Sequence, residues 1–279
     1  MTNTTIRQSA PHLAANYIKK LHPSFNPAVG IVLGSGLGQF ADELQDSVHI
    51  SYENLPGFPK VTVQGHGGNL ILGYLNNIGV VCLQGRAHTY EGLENYETVK
   101  TYVRTLKLLG CTQFIATNAS GSLREDIGPG ELMLISDHIN LQPSNPLIGP
   151  NDDEFGPRFY PIDNAYNKTM RQRLLHIADK NAIKLTEGIY ISVLGPHYET
   201  AAEIKAFKIW GADAVGMSTV PEVLVANHCG LQVAVIAMIT NYATGLTKTA
   251  HSHDSVVTTA ENAAQKLNRI LKEYITGLK

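Results

Sequence analysis

The chain has 279 residues, of which 43% are hydrophobic and 16% charged, and its formal net charge is -2. That apolar content supports a sizeable core, and the near-neutral balance offers no electrostatic case for nucleic acid or an anionic membrane as partner. No apolar run approaches the roughly 18 residues a membrane span needs, and the first 20 residues hold no apolar signal core.

In chain order, helical periodicity at 11–21 precedes a first strand in GIVLGSG (30–36). VTVQGHGG and LILGYLNNIGVVCLQGR read as strands, with a hairpin turn at Asn76–Asn77. A helix is predicted at 95–109, closed by Gly110. FIATNASG and LMLISDHIN are strands again, and the Pro- and Gly-rich span 141–161 is loop. Helices near 164–181, 199–210 and 220–229 then alternate with the strands GIYISVLG, DAVGMS and VAVIAMITN, before a long helix at 254–276. This pattern predicts an α/β fold: a single domain, 1–279, with a central mixed β-sheet flanked by helices and a ligand site at the strand ends. Cys82, Cys111 and Cys229 are odd in number and far apart, with no CxxC, so buried free thiols and a reducing cytoplasm are expected.

Stock motifs are mostly missing. GSGLG (34–38) looks like a Gly-rich phosphate loop between a strand and a helix but lacks the spacing of a dinucleotide fingerprint, and neither a GxxxxGK[ST] loop nor a GxSxG elbow is present. His251 and His253 form an HxH without the further ligands of a metal centre, so no metal is expected. The stretch GVVCLQGRAHTYEG (79–92) is more informative. After a doubly buried strand it places Arg86, His88 and Tyr90 at alternate positions, which on an extended chain would share one face.

Other strand ends carry similar chemistry. Gly34-Ser35-Gly36 offers N–H groups and a hydroxyl suited to an oxyanion. His66 sits in QGHGG among small neighbours, and Arg86 offers a planar donor fork that matches two phosphate oxygens. TNASG (117–121) and GMS (216–218) add hydroxyls and small residues. Singly, Ser35, Ser218 and His66 read as turn residues, Glu199 as a helix N-terminal carboxylate and Asn241 as a turn asparagine. Together the Gly34-Ser35-Gly36 turn, His66, Arg86, His88, the TNASG end and Ser218 describe an anion site.

In order and spacing, GSGLG, LPGFP, GHGG, GRAHTYEG, TNASG, DHIN, GPNDDEFGPRF, GPHYETAAEI, GADAVGMSTVPEV and ITN resemble the trimeric purine nucleoside phosphorylases, 6-oxopurine branch, over nearly the whole chain. The resemblance implies phosphorolysis of a 6-oxopurine (deoxy)ribonucleoside to free base and (deoxy)ribose 1-phosphate, in the cytoplasm, by a homotrimer needing no cofactor. Inorganic phosphate is the co-substrate. By the same resemblance Ser35, His66, Arg86, His88, the Ala119 N–H and Ser218 hold phosphate. Tyr90, Met217, Phe159 of an adjacent subunit and His253 meet the ribose, with His251 an alternative for the 5′-OH. Tyr198 stacks on the base. His88, Glu199 and Asn241 are its catalytic set. Glu199 can accept N–H bonds from N1 and a 2-amino group, and the NH₂ of Asn241 can reach N7 and O6. Ser120 and Tyr198 depart from the family's usual alanine and phenylalanine. Competing readings are a methylthioadenosine phosphorylase of the same fold, expected to carry aspartate at 241, and a non-catalytic purine-nucleoside-binding protein.

Overall fold

A computed structural model of the chain describes residues 9–34, 37–60, 67–247 and 253–278, apart from the side chains of 253–258 and 260–262. The elements are α1 (Ala10–Leu21), β1 (Pro27–Leu33), β2 (Gln45–Ser51), β3 (Asn69–Leu75), β4 (Ile78–Gln84), α2 (Asn95–Leu109), β5 (Gln113–Ser122), β6 (Leu132–Asn140), α3 (Lys168–Lys180), β7 (Leu185–Ser192), α4 (Ala201–Ile209), β8 (Ala214–Gly216), α5 (Val220–His228), β9 (Gln232–Tyr242) and α6 (His253–Thr276). The strands form one mixed sheet in the order β2-β3-β4-β1-β5-β8-β7-β6-β9, and β9 also pairs with β5. That extra pairing closes β5, β8, β7, β6 and β9 into a ring. The expected α/β fold with a mixed sheet and flanking helices is therefore found.

Period-two alternation divides the sheet's apolar residues between two cores. Val32, Val81, Leu83, Val233 and Val235 join Val99, Val103, Leu106 and Val223 of α2 and α5 on one face. Ile31, Val80, Cys82, Ala234 and Ile236 join Leu174, Leu267 and Leu271 of α3 and α6 on the other. A third cluster seats Ile204 and Phe207 of α4 against Ile191 and Val215. The β3–β4 hairpin turns at Asn76 (φ 47) and Asn77 (φ 65) as read from the sequence, because two positive φ values match the strands' twist.

Three features differ from the sequence reading. β2 was not visible there, since QDSVHIS is an exposed edge strand with almost no apolar face. The helix after GSGLG is only a 3-10 turn, Gly38–Glu43. The alternation at Arg86, His88 and Tyr90 is not a strand face: Gly85 (φ 106) turns the chain out of β4, and Thr89–Glu91 is a 3-10 turn. All three cysteines are buried and free of disulfides. Burial pushes their thiols up, that of Cys229 to about 11. No helix among the described residues is long and apolar enough to cross a membrane.

Candidate active site

Sheet register brings the polar strand ends together. β1 runs parallel to β4 (Leu33 beside Gln84) and to β5 (Val32 beside Ala116). The Gly34 N–H, just past β1, donates to Thr117 Oγ1 at 3.1 Å. β5 runs parallel to β9, with Ala119 beside Met238 and Gly121 beside Asn241, and antiparallel to β8, with Gly121 beside Val215. Ser35 and His66, both expected at the phosphate, lie outside the described residues, as does His251. His253 opens α6, but its side chain too lies outside them.

Arg86 points inward. Its Nε donates to Glu222 Oε1 at 2.9 Å and its Nη2 to Glu222 Oε2 at 3.2 Å, while Nη1 reaches Ser218 Oγ at 3.4 Å. Burial alone disfavours the guanidinium charge, but the Glu222 carboxylate outweighs it and raises the pKa. Ser218 is pinned from several sides. Its carbonyl accepts from Ser192 Oγ (3.0 Å) and Tyr190 Oη (3.3 Å), and its hydroxyl lies 3.0 Å from Thr219 Oγ1. Thr219 has φ 71, a strained value for a β-branched residue. Its Oγ1 accepts from Asn118 Nδ2 at 2.9 Å, and Ser120 Oγ donates to Asn118 Oδ1 at 2.8 Å. Ser120 thus braces the strand end that carries Ala119.

Beside this centre the His88 and Tyr90 rings stack, centroids 4.8 Å apart and 17° from parallel. Glu91 accepts from the His88 backbone N–H at 2.9 Å and sets its carboxylate 3.4 Å from His88 Nδ1. Burial raises the Tyr90 pKa to about 12, with Glu91 adding to the rise. Gln142 ties the 3-10 turn to the strand beyond: its Oε1 accepts from Thr89 Oγ1 at 2.8 Å and its Nε2 donates to Ser192 Oγ at 2.9 Å.

The remaining expected site residues are Glu199, Tyr198, Met217 and Asn241. Glu199 is not the first-turn carboxylate of a helix. α4 begins after Thr200, whose hydroxyl accepts from the Glu203 N–H at 3.2 Å while Glu203 Oε2 accepts from the Thr200 N–H at 2.7 Å. That box serves the helix end and leaves Glu199 outside it, 9% exposed. Burial raises the Glu199 pKa above 4.5. Asn241 lies inside β9, not in a turn. Its Oδ1 accepts from Thr240 Oγ1 at 2.9 Å, and its Nδ2 donates to Tyr242 O at 3.0 Å. One amide hydrogen is thereby committed, so separate donation by both hydrogens to N7 and O6 does not hold in this arrangement. Met217 is half-buried and Tyr198 40% exposed. Phe159 is 89% exposed, on the 141–161 loop.

Sequence reasoning missed Glu222, Tyr102, Glu91 and Gln142. Glu222 lies 136 positions from Arg86 and Tyr102 lies 120 from Glu222, separations no local motif spans. Gln142 acts through Thr89 and Ser192, and Glu91, only three positions from His88, acts through a 3-10 turn that alternation does not reveal.

Residues 28–276 match the family model described as Phosphorylase superfamily. A protein of Geobacillus stearothermophilus named purine nucleoside phosphorylase 1 is 44% identical over 278 residues, covering 100% of this chain and 99% of its own. Schistosoma mansoni purine nucleoside phosphorylase in complex with inosine superposes with TM-score 0.90 at 36% identity, over 97% of this chain and 96% of that one. Schistosoma mansoni purine nucleoside phosphorylase in complex with adenosine superposes with TM-score 0.89 at 38% identity, over 95% of this chain and 96% of that one.

Proposed function

The chain belongs to the phosphorylase superfamily and, within it, to the purine nucleoside phosphorylases, and we propose that it splits 6-oxopurine (deoxy)ribonucleosides with inorganic phosphate. A phosphate oxygen forms a bond to C1′ as the bond from C1′ to N9 breaks. The electron pair of the broken bond passes to the purine, which takes up a proton. The products are the free base and the (deoxy)ribose 1-phosphate. The transition state resembles an oxocarbenium ion, as in glycoside hydrolysis. No cofactor enters the balance.

Each part of the site has a place in that chemistry. Arg86, Ser218, the Ala119 N–H and His88 hold phosphate, together with Ser35 and His66. Tyr90, Met217 and His253 hold the sugar, and Tyr198 stacks on the base. Asn241 offers its remaining N–H to N7, where negative charge grows, so the bond strengthens in the transition state. Glu199 accepts from N1–H. The buried Glu199 carboxylate, set free of helix capping, carries the 6-oxopurine reading. Adenine has no proton on N1, so it would set a lone pair against this acceptor. A relative has been crystallised with adenosine, so discrimination is sought in turnover and not in occupancy.

We further read the assembly as a homotrimer with shared sites. The Phe159 side chain projects between two tethered neighbours. Arg158 Nη1 donates to Gly149 O at 2.6 Å, and Tyr160 Oη to Leu224 O at 3.0 Å. Burial of every cysteine suits the reducing cytoplasm as its compartment.

The test is purified protein with phosphate and inosine, guanosine, adenosine or methylthioadenosine, followed by chromatography of the bases. Hypoxanthine and guanine should appear, with adenosine turnover lower by as much as ~10⁴–10⁵. Adenine from methylthioadenosine would point to the sister activity. Nucleoside binding without base release would mean a binding protein.

A further inference from the structure

Two stretches of this chain read threonine-x-x-glutamate at the start of a helix, and the structure uses them differently. Thr200 and Glu203 cap α4 reciprocally. At α5, Thr219 makes no side-chain cap; its positive φ takes it out of the capping conformation. Glu222 does not turn back to its own helix end. It is 1% exposed and bonds across 136 positions to Arg86 and across 120 to Tyr102, whose Oη donates to Oε1 at 2.6 Å.

We propose that Glu222, held by Tyr102, is a positioning residue of the phosphate site: it occupies one edge of the Arg86 guanidinium and so aims the opposite edge at phosphate. The inference rests on the phosphate reading of Arg86. A guanidinium has five N–H donors in a rigid plane, so fastening Nε and Nη2 to a two-pronged carboxylate leaves no freedom about the last torsions. Nη1 then faces Ser218, the neighbouring phosphate ligand of the proposed site. Tyr102 stops the carboxylate from rotating away, since Oε1 accepts from both Tyr102 and Arg86.

The sign of a substitution separates aiming from simple charge compensation. Glu222→Gln removes a negative charge beside the phosphate, so a mere counter-charge would, when lost, tighten phosphate binding. A residue that aims Arg86 would loosen it. With Oε1 of the glutamine kept on Arg86 Nε and Tyr102, its NH₂ meets Nη2 donor against donor, and the fork opens.

The experiment measures phosphate affinity by titration calorimetry, together with the separate Michaelis constants for phosphate and inosine, in the intact protein and its variants. Phosphate binding should weaken at least ~10-fold in Glu222→Gln and at least ~2-fold in Tyr102→Phe. Glu222→Asp, which keeps the charge, should fall between parent and Glu222→Gln. The inosine constant should stay near the parent's, which general loosening of the fold would not spare. Unchanged or tighter phosphate binding in a folded Glu222→Gln overturns the proposal. If that variant does not fold, unchanged binding in Tyr102→Phe does so. A parent that binds phosphate but releases no base removes the proposed activity and leaves Glu222 to be judged on affinity. A parent that binds no phosphate removes both.

Discussion

At Glu199 the direction of a pKa shift sets the direction of a pH effect. In the proposed site its ionised form would accept from N1–H, and burial raises its pKa above 4.5. As pH falls through the raised value the carboxylate takes a proton and stops accepting. Hypoxanthine affinity, followed by calorimetry without phosphate, should therefore weaken on the acid side at a higher pH than an ordinary glutamate would dictate. Glu199→Gln should show no such limb, and a flat profile in the parent would take Glu199 out of the base pocket. Arg86 presents a different balance. Arg86→Ala removes a donor of the proposed phosphate site and also strands Glu222, whose side chain is 2% exposed. Breaking a buried pair by deleting one partner costs roughly 3–5 kcal/mol. Urea unfolding without phosphate should show a loss of that order, and equal stability would mean that Arg86 does not hold Glu222. Arg86 and Glu199 were both legible as residue types at strand and helix ends. The direction of Arg86 was not, because alternation assumes an extended chain and Gly85 breaks it.

At the scale of elements, what was legible had a local cause. α2 ends at Gly110 because that residue, at φ 113, can send its N–H back to Leu106 and Lys107. An alanine there would meet both the backbone penalty and Asn26 Oδ1, 3.1 Å from its Cβ. Gly110→Ala should cost roughly 1–2 kcal/mol in chemical denaturation, with phosphate and inosine constants unchanged well below the melting temperature. A neutral effect would mean that the turn relaxes without strain. What was not legible depended on distant partners. The edge strand β2 has too little apolar face to announce itself and forms by pairing with β3. The two threonine-x-x-glutamate stretches are indistinguishable as text. Contact between Thr219 and Asn118, made possible by the β5–β8 pairing, is what separates them.

For the whole molecule the question is where Phe159 goes. It is 89% exposed in the single chain, while the side chains of its neighbours are bonded, Arg158 to Gly149 O and Tyr160 to Leu224 O. An exposed aromatic is the kind of side chain that fills a pocket on a partner, and a head-to-tail contact of this kind closes into a ring when the rotation permits. Truncation to alanine removes little packing within the chain, so stability of the fold should change by no more than about 0.5 kcal/mol. The inosine Michaelis constant should rise roughly tenfold, equivalent to ~1.4 kcal/mol, while the phosphate constant stays put. Complementation makes the test sharper. In a mixed trimer, a Phe159→Ala subunit keeps its own Glu199 and can receive Phe159 from a Glu199→Gln neighbour, which rebuilds one complete site. Co-expressing the two variants should thus recover activity at low inosine that neither shows alone, and light scattering should give a trimer throughout. If Phe159 folds back onto its own subunit, no mixture contains a complete site. Activity would then remain the average of the two parents, and the shared-site reading would fall with it.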